Sequence, residues 1–170
     1  MGLEEELKEK MEEAHDPFDK RVAGTMAIMA AALAVVSVMG HMATTEEIVN
    51  QAKASDQWAY YQAKSIRRYE SEIARDTLAA QPAKVAEYSK NVEKYTKEGE
   101  EIQKEAQALE NESKAKGHEA ARMEFAEIFL EVAIVLASLA ILTKIPVVWW
   151  FSIITGLGGV GVALTALGLK

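Results

Sequence analysis

Apolar and polar positions are strongly segregated along this chain of 170 residues. The segment 22–42 contains no Asp, Glu, Lys or Arg. About 20 apolar residues in a helix span the hydrocarbon core of a bilayer. A second apolar stretch reaches from residue 125 almost to the C-terminus, and a turn at Lys144 and Pro146 divides it. We therefore predict three transmembrane helices, over residues 22–42, 125–142 and 146–169.

The densely charged segment 43–124 is predicted to be a helical hairpin that turns near Pro82. In its second half, apolar or small residues recur every three or four positions, which is the spacing of a coiled-coil seam. They are Val85, Tyr88, Val92, Tyr95, Gly99, Ile102, Ala106, Leu109, Ser113, Ala120 and Met123. The first half has a weaker row, interrupted at Gln62: Ile48, Ala52, Ser55, Ala59, Ile66, Tyr69 and Ile73. Because the connection is short, we expect the two rows to pack antiparallel, with residue i near residue 163 − i.

The expected fold is therefore an all-α integral membrane protein with a long antiparallel helical hairpin projecting from the membrane. An acidic segment, residues 1–21, precedes the first span, and its first 15 residues are a candidate for a marginal surface helix. No helix breaker separates the first span from the polar segment, so we expect one helix to run through both. Three crossings place the termini on opposite sides. Lys20, Arg21 and Lys144 then favour a cytoplasmic N-terminus, with the hairpin outside.

Charge and composition exclude several classes of function. The net charge is −7, which argues against a nucleic-acid partner because such proteins present a basic face. There is no cysteine, hence no disulfide or thiolate chemistry. The sequence from His118 to Arg122 begins like a zinc-protease helix but has Arg122 where the second His is required. We predict no enzymatic activity, no cofactor and no metal site.

Two carboxylates lie in an apolar segment, which is energetically costly. Glu127 and Glu131 are four residues apart and so share one face of the second predicted span. A carboxylate facing lipid there costs a few kcal/mol. Either this face is covered by protein or water, which we prefer, or the membrane surface lies near Glu131 and the span is short. A covered acidic face is a candidate ion path.

The third predicted span is rich in glycine and presents a row of small residues. Thr155, Gly159 and Ala163 lie four residues apart, on one face of a helix. Small residues allow helices to approach closely in lipid, where packing drives association. We predict a helix-contact strip here, within or between subunits.

The stretch from Ala52 to Arg68, AKASDQWAYYQAKSIRR, together with Asp16-Pro17-Phe18 before the first span, resembles an uncharacterised bacterial membrane family, domain of unknown function 4337. The resemblance covers nearly the whole chain and implies this layout, in a bacterial inner membrane, without implying an activity. Within the stretch, Asp56, Trp58, Tyr61 and Arg68 point away from the predicted seam. They form a second contact surface or, alternatively, lean half-buried over the partner helix.

Two classes of function fit these features. The first is a non-enzymatic scaffold or interaction protein, a homo-oligomer in the lipid bilayer whose coiled-coil hairpins hold each other or a protein partner. One subunit has too few neighbours to cover every small-residue face and both glutamates, which favours the oligomer. The second is a cation or proton conduit formed by the oligomer and lined by Glu127 and Glu131.

Overall fold

The computed structural model describes residues 17–168, and within that range it is all-helical, with three α-helices. Helix α1 is Pro17–Thr77, α2 is Pro82–Thr143 and α3 is Pro146–Leu167. Each begins at a proline, whose fixed φ suits the first helical turn and whose missing N–H has no partner to lose there. Helix α1 is uninterrupted, as the absence of a breaker predicted. The predicted helix over residues 1–15 lies outside the described residues.

Two short turns connect the helices. Between α1 and α2, the carbonyl of Gln81 accepts hydrogen bonds from the amides of Lys84 and Val85, at 2.9 and 3.0 Å, and so starts α2. Between α2 and α3, Lys144 has a φ of 58°, the left-handed conformation that commonly ends a helix. The ammonium group of Lys144 forms an ion pair with Asp19 near the start of α1.

The chain divides into two compact units. The first, here called the apolar unit, contains the described residues up to Ala43 and those from His118 onward. The second, the polar unit, is Thr44–Gly117. The two long helices each contribute to both units, and α3 belongs to the apolar unit alone.

Most of the buried residues in the apolar unit are small. On α2 and α3 they include Ala126, Ala133, Ala137, Ala140, Ser152, Gly156, Gly159, Ala163 and Ala166. A few larger side chains are buried with them, among them Val22, Met123 and Leu130. Many large apolar side chains face outward, among them Ile28, Phe125, Val135, Leu142, Ile154 and Leu157, whereas a water-soluble bundle buries most residues of this kind. All three helices are long and apolar enough to cross a membrane.

In the polar unit, α1 and α2 contact each other in opposite order along the chain. Lys64 forms an ion pair with Glu98 at 2.6 Å, and Glu46 forms one with Lys116 at 2.8 Å. Each pair lies one residue from the predicted register. On α2 the predicted row is buried or half-buried along the whole polar unit, from Val85 to Ser113, which confirms the prediction for that helix.

On α1 the predicted row is wrong. Ile48, Ile66 and Ile73 are 62%, 58% and 67% exposed, and Ala52, Ser55 and Ala59 are exposed as well. Helix α2 packs instead against a row with the same spacing on the opposite face of α1. Its members are Glu47, Asn50, Ala54, Gln57, Tyr61, Lys64, Arg68 and Ser71. We call this row the inner row, and the exposed one, extended through Gln62, the outer stripe.

The inner row can face α2 because contacts with α2 satisfy several of its polar groups. The hydroxyl of Ser113 donates to the carbonyl of Glu47 at 3.1 Å and lies 3.3 Å from Oε1 of Gln51. Farther along, Lys64 reaches Glu98. A buried polar group with a partner costs little, whereas one without a partner costs a few kcal/mol. The spacing of apolar residues assigns Glu47 and Lys64 to the surface of α1, although both take part in these bonds. The apolar pattern alone therefore selected the wrong face of α1.

Candidate interaction surface

Three of the four residues singled out in the Ala52–Arg68 stretch lie between α1 and α2. Trp58 donates its indole N–H to Glu110 of α2 at 3.0 Å and meets Tyr61 edge to face, with ring centroids 5.7 Å apart. Tyr61 and Arg68 are half-buried in the inner row, whereas Asp56 is exposed. The structure therefore brings Trp58, Tyr61 and Arg68 together against α2 and leaves Asp56 on another face.

A shallow groove of about 220 Å³ lies beside this cluster. The ring of Tyr61 approaches α2 closely where Gly99 leaves room, and a Cβ at Gly99 would lie 3.6 Å from Cε2 of that ring. The guanidinium of Arg68 lies 4.7 Å from the centroid of the Tyr69 ring. The groove is lined by Tyr61, Ser65, Arg68, Tyr95, Thr96, Gly99 and Glu100. The groove combines aromatic rings with hydroxyl and charged groups. The residues that line it lie along the contact between α1 and α2.

A short ion pair of 2.6 Å joins Lys64 of α1 to Glu98 of α2. Lys64 Nζ lies 5.1 Å from the ring centroid of Tyr60 and 5.6 Å from that of Tyr95, so aromatic faces surround the ammonium. Its hydrogen bond to Glu98, followed by Tyr60, raises the pKa of Lys64. The same bond to Lys64 lowers the pKa of Glu98, against a smaller opposing effect of desolvation. Both groups thus stay ionised across neutral pH.

The acidic pair lies on a side of α2 that the rest of the chain covers only in part. Glu127 is half-buried and Glu131 is exposed. Large apolar side chains surround Glu131 on α2: Ile128 is 54% exposed and Val132 is 46% exposed. The described part of the chain therefore does not cover Glu131. At this residue it does not supply the covered face that we prefer for the two glutamates.

The predicted helix-contact strip on α3 meets α2 at two of its three residues. Gly159 is buried so closely that a Cβ there would lie 2.9 Å from the carbonyl oxygen of Ala126 and 3.0 Å from Cβ of Phe129. Ala163 is buried as well. Thr155 is half-buried and bonds to the carbonyl of Phe151 in its own helix. The buried strip runs through Gly156 in place of Thr155.

Aromatic and hydroxyl side chains of the apolar unit contact one another near the turn between α2 and α3. Trp149 donates to the hydroxyl of Thr25 at 3.1 Å and meets Phe18 edge to face, with ring centroids 5.9 Å apart. These contacts join the start of α3 to the start of α1. Together with the ion pair between Lys144 and Asp19, they place the turn beside the first residues of α1.

The outer stripe of α1 is the largest feature without a partner in the polar unit. Its residues are spaced alternately by four and three positions from Ile48 to Ile73, and each of them is exposed. Tyr60 and Val49, 50% and 43% exposed, each follow a residue of the stripe and widen it on one side. Sequence reasoning found these residues but assigned them to contact with α2. The inner row has the same spacing on the same helix, and its presence in the sequence could have corrected this assignment.

Among residues 17–168, no group of three or more potential ligands could hold a metal ion. A family model described as "Domain of unknown function (DUF4337)" matches residues 18–169 of the chain. The comparisons with curated proteins and with solved structures found no match.

Proposed function

We propose that this chain, which belongs to the family described as Domain of unknown function (DUF4337), is a non-enzymatic oligomeric membrane scaffold. Its apolar unit would be embedded in lipid, and its polar unit would be a coiled-coil hairpin that presents an interaction surface. The observation that carries this proposal is the outer stripe. An apolar row that stays exposed to water, on the face of α1 opposite α2, is typical of a surface that another helix covers.

The apolar unit supports the membrane part of the proposal. Most of its buried residues are small, and many of its large apolar residues face outward, which suits a lipid environment because packing, not burial from water, holds such helices together. The exposed rings of Trp150 and Phe151 near the start of α3 suit the membrane interface, where aromatic residues are enriched.

The orientation follows from the basic residues near the same side of the apolar unit. Lys144 contacts Asp19, next to Lys20 and Arg21, so three cations gather at one side. From the positive-inside rule we expect that side to be cytoplasmic and the polar unit to lie outside.

A topology experiment tests these statements. In alkaline carbonate the protein should stay with the membrane fraction. A reporter inserted in the turn at Ala80 and one fused after Lys170 should lie on the same side, and one before Met1 on the other. Extraction into the soluble fraction, or reporters at Met1 and Lys170 on one side, would contradict the three-span scaffold.

A second candidate function is a cation or proton conduit formed by a homo-oligomer. The observation that favours it is Glu131, an exposed carboxylate among apolar side chains of a helix that is apolar enough to cross a membrane. In a symmetric assembly this carboxylate repeats around the axis, and rings of acids select cations in pores.

Glu131→Gln separates the two functions because it removes the charge and keeps the shape. A conduit loses or changes its cation flux in reconstituted liposomes while its assembly stays intact. A scaffold shows no flux in the wild type and is unaffected by Glu131→Gln, whereas Glu131→Leu weakens its assembly by removing a polar contact. Wild-type liposomes that carry no cation or proton flux under a potential or a pH gradient would rule the conduit out.

A further inference from the structure

Helix α1 carries two heptad rows in the polar unit, and the more apolar of the two is the one left open. The inner row, which meets α2, includes Glu47, Gln57, Lys64 and Arg68. The outer stripe contains three isoleucines and a tyrosine, with alanine and serine between them, and a single amide, Gln62. Exposure of a row of this composition to water is unfavourable, because burial of apolar side chains is a main source of stability in folding and association.

The same spacing continues along α1 into the apolar unit. Counting back from Ile48 in alternate steps of three and four leads through Thr45 and His41 to one valine and four small residues, and all five are exposed. They are Val38, Ala34, Ala31, Ala27 and Gly24. The next positions at either end, Lys20 and Asp76, are charged. The row therefore begins and ends at charges and has none between them.

We infer that a second copy of this chain covers this row, with the two α1 helices parallel and in register, so that each residue of the row meets its own counterpart. The inference rests on the proposed membrane function, since copies inserted with one topology are necessarily parallel. It specifies which surface forms the oligomer.

The helix that covers this row must meet two different requirements at one helical spacing, and the α1 helix of a second copy meets both. In the apolar unit, small residues need a helix that can approach closely, as in small-xxx-small contacts. In the polar unit, the isoleucines need an apolar heptad row to exclude water. The α1 helix of another copy supplies both patterns at the same positions, and a two-fold axis makes the contact self-complementary.

The flanking residues do not oppose this register. In a parallel coiled coil, each residue before an a position faces the residue five positions later on the partner. With Ala52, Ala59, Ile66 and Ile73 as the a positions, that rule pairs Gln51 with Asp56, Trp58 with Ala63, Ser65 with Glu70 and Glu72 with Thr77. No pair brings two like charges together. Gln62, the one amide in the stripe, would meet its own counterpart, and a buried polar pair of this kind favours one register over others.

The area available matches that of a stable dimer. The row covers residues 24–73, and at ~1.5 Å per residue and a contact about 10 Å wide each copy would contribute roughly 750 Å². Two copies together would bury about 1,500 Å², close to the area of a standard specific interface.

Disulfide crosslinking in native membranes tests the inference, and the absence of cysteine in the chain makes each introduced thiol the only one. Ala59→Cys in the polar unit and Ala31→Cys in the apolar unit lie on the row. Ala108→Cys, exposed on α2, is the matched control. After mild oxidation the first two should shift from 18.7 kDa to twice that mass on a non-reducing gel, and the control should remain monomeric. A crosslink at Ala59 without one at Ala31 would overturn the parallel register.

A charge on the row gives a second, independent measurement. Ile66 is 58% exposed within one chain, so Ile66→Asp should leave the fold of the monomer intact. In the Ala59→Cys background it should abolish the dimer band, whereas Ala108→Asp should not. Equal crosslinking at Ala59 and Ala108 would mean random collision, and a heavier band containing another protein would mean a different occupant; either overturns the inference. If the protein stays membrane-embedded and never crosslinks, the inference fails and the scaffold proposal stands, whereas a soluble protein contradicts the proposed function itself.

Discussion

Replacement of Gly159 by alanine should force α2 and α3 apart. The added Cβ would lie 2.9 Å from the backbone oxygen of Ala126, 3.0 Å from Cβ of Phe129 and 3.2 Å from Cγ of Leu130. The oxygen and Cβ belong to the rigid part of a helix and have no rotamer to change. The strain must therefore be relieved by separating two helices along their contact.

The cost of this clash can be isolated with a matched variant. Gly158, the preceding residue, has nothing within 4 Å of its would-be Cβ. Both substitutions improve intrinsic helix propensity equally, by about 1 kcal/mol. The difference between Gly159→Ala and Gly158→Ala is then the cost of overpacking alone, about 1–3 kcal/mol.

The measurement is the free energy of unfolding of each purified variant in mixed micelles of a mild detergent and dodecyl sulfate, followed by circular dichroism. Gly159→Ala should unfold at lower dodecyl sulfate than Gly158→Ala, with the wild type between them or close to Gly158→Ala. If Gly159→Ala is as stable as Gly158→Ala, the close approach of α3 to α2 is refuted.

Two further predictions concern the polar unit. Ile102 is only 8% exposed, so Ile102→Asp should lower the stability of the polar unit by about 3 kcal/mol through an unpaired buried charge. Gln107→Asp, at an exposed position, should leave the melting temperature nearly unchanged. Equal melting temperatures of the two variants would contradict the packing of α2. The contribution of the Lys64–Glu98 pair should be lost as pH falls through the lowered pKa of Glu98, and lost again as pH rises through the raised pKa of Lys64. In Glu98→Gln the loss of stability at acid pH should become smaller in a pH series of melting curves. The pKa of Glu93 is lowered as well, so an unchanged acid limb would show that other carboxylates cause it.

The breaks between helices were predictable because the chain has only three prolines and each sits where a helix begins. The α2 row was also predictable, since Val92, Ile102 and Leu109 alternate regularly with charged residues. Proline and apolar spacing act locally, through φ and through burial of one helix face, so they can be read without knowing the partner.

The face of α1 that meets α2 was not predictable in the same way. Contacts such as that of Lys64 with Glu98 require both helices to be in place before either polar group is satisfied. Likewise, the buried strip of α3 runs through Gly156 and not Thr155 because the side chain of Met29 on α1 lies 3.0 Å from a would-be Cβ at Gly156. Such a choice depends on the angle between helices, which a spacing pattern does not encode.

The mixed chemistry of the seam between α1 and α2 has a thermal consequence. Separation of two apolar faces hydrates hydrocarbon and raises the heat capacity, whereas exposure of polar surface lowers it. In this seam the apolar row of α2 meets a row of α1 rich in charged and amide side chains, so the two contributions partly cancel. The free energy that holds the polar unit together should therefore vary less steeply with temperature than that of a coiled coil with leucine and isoleucine on both sides.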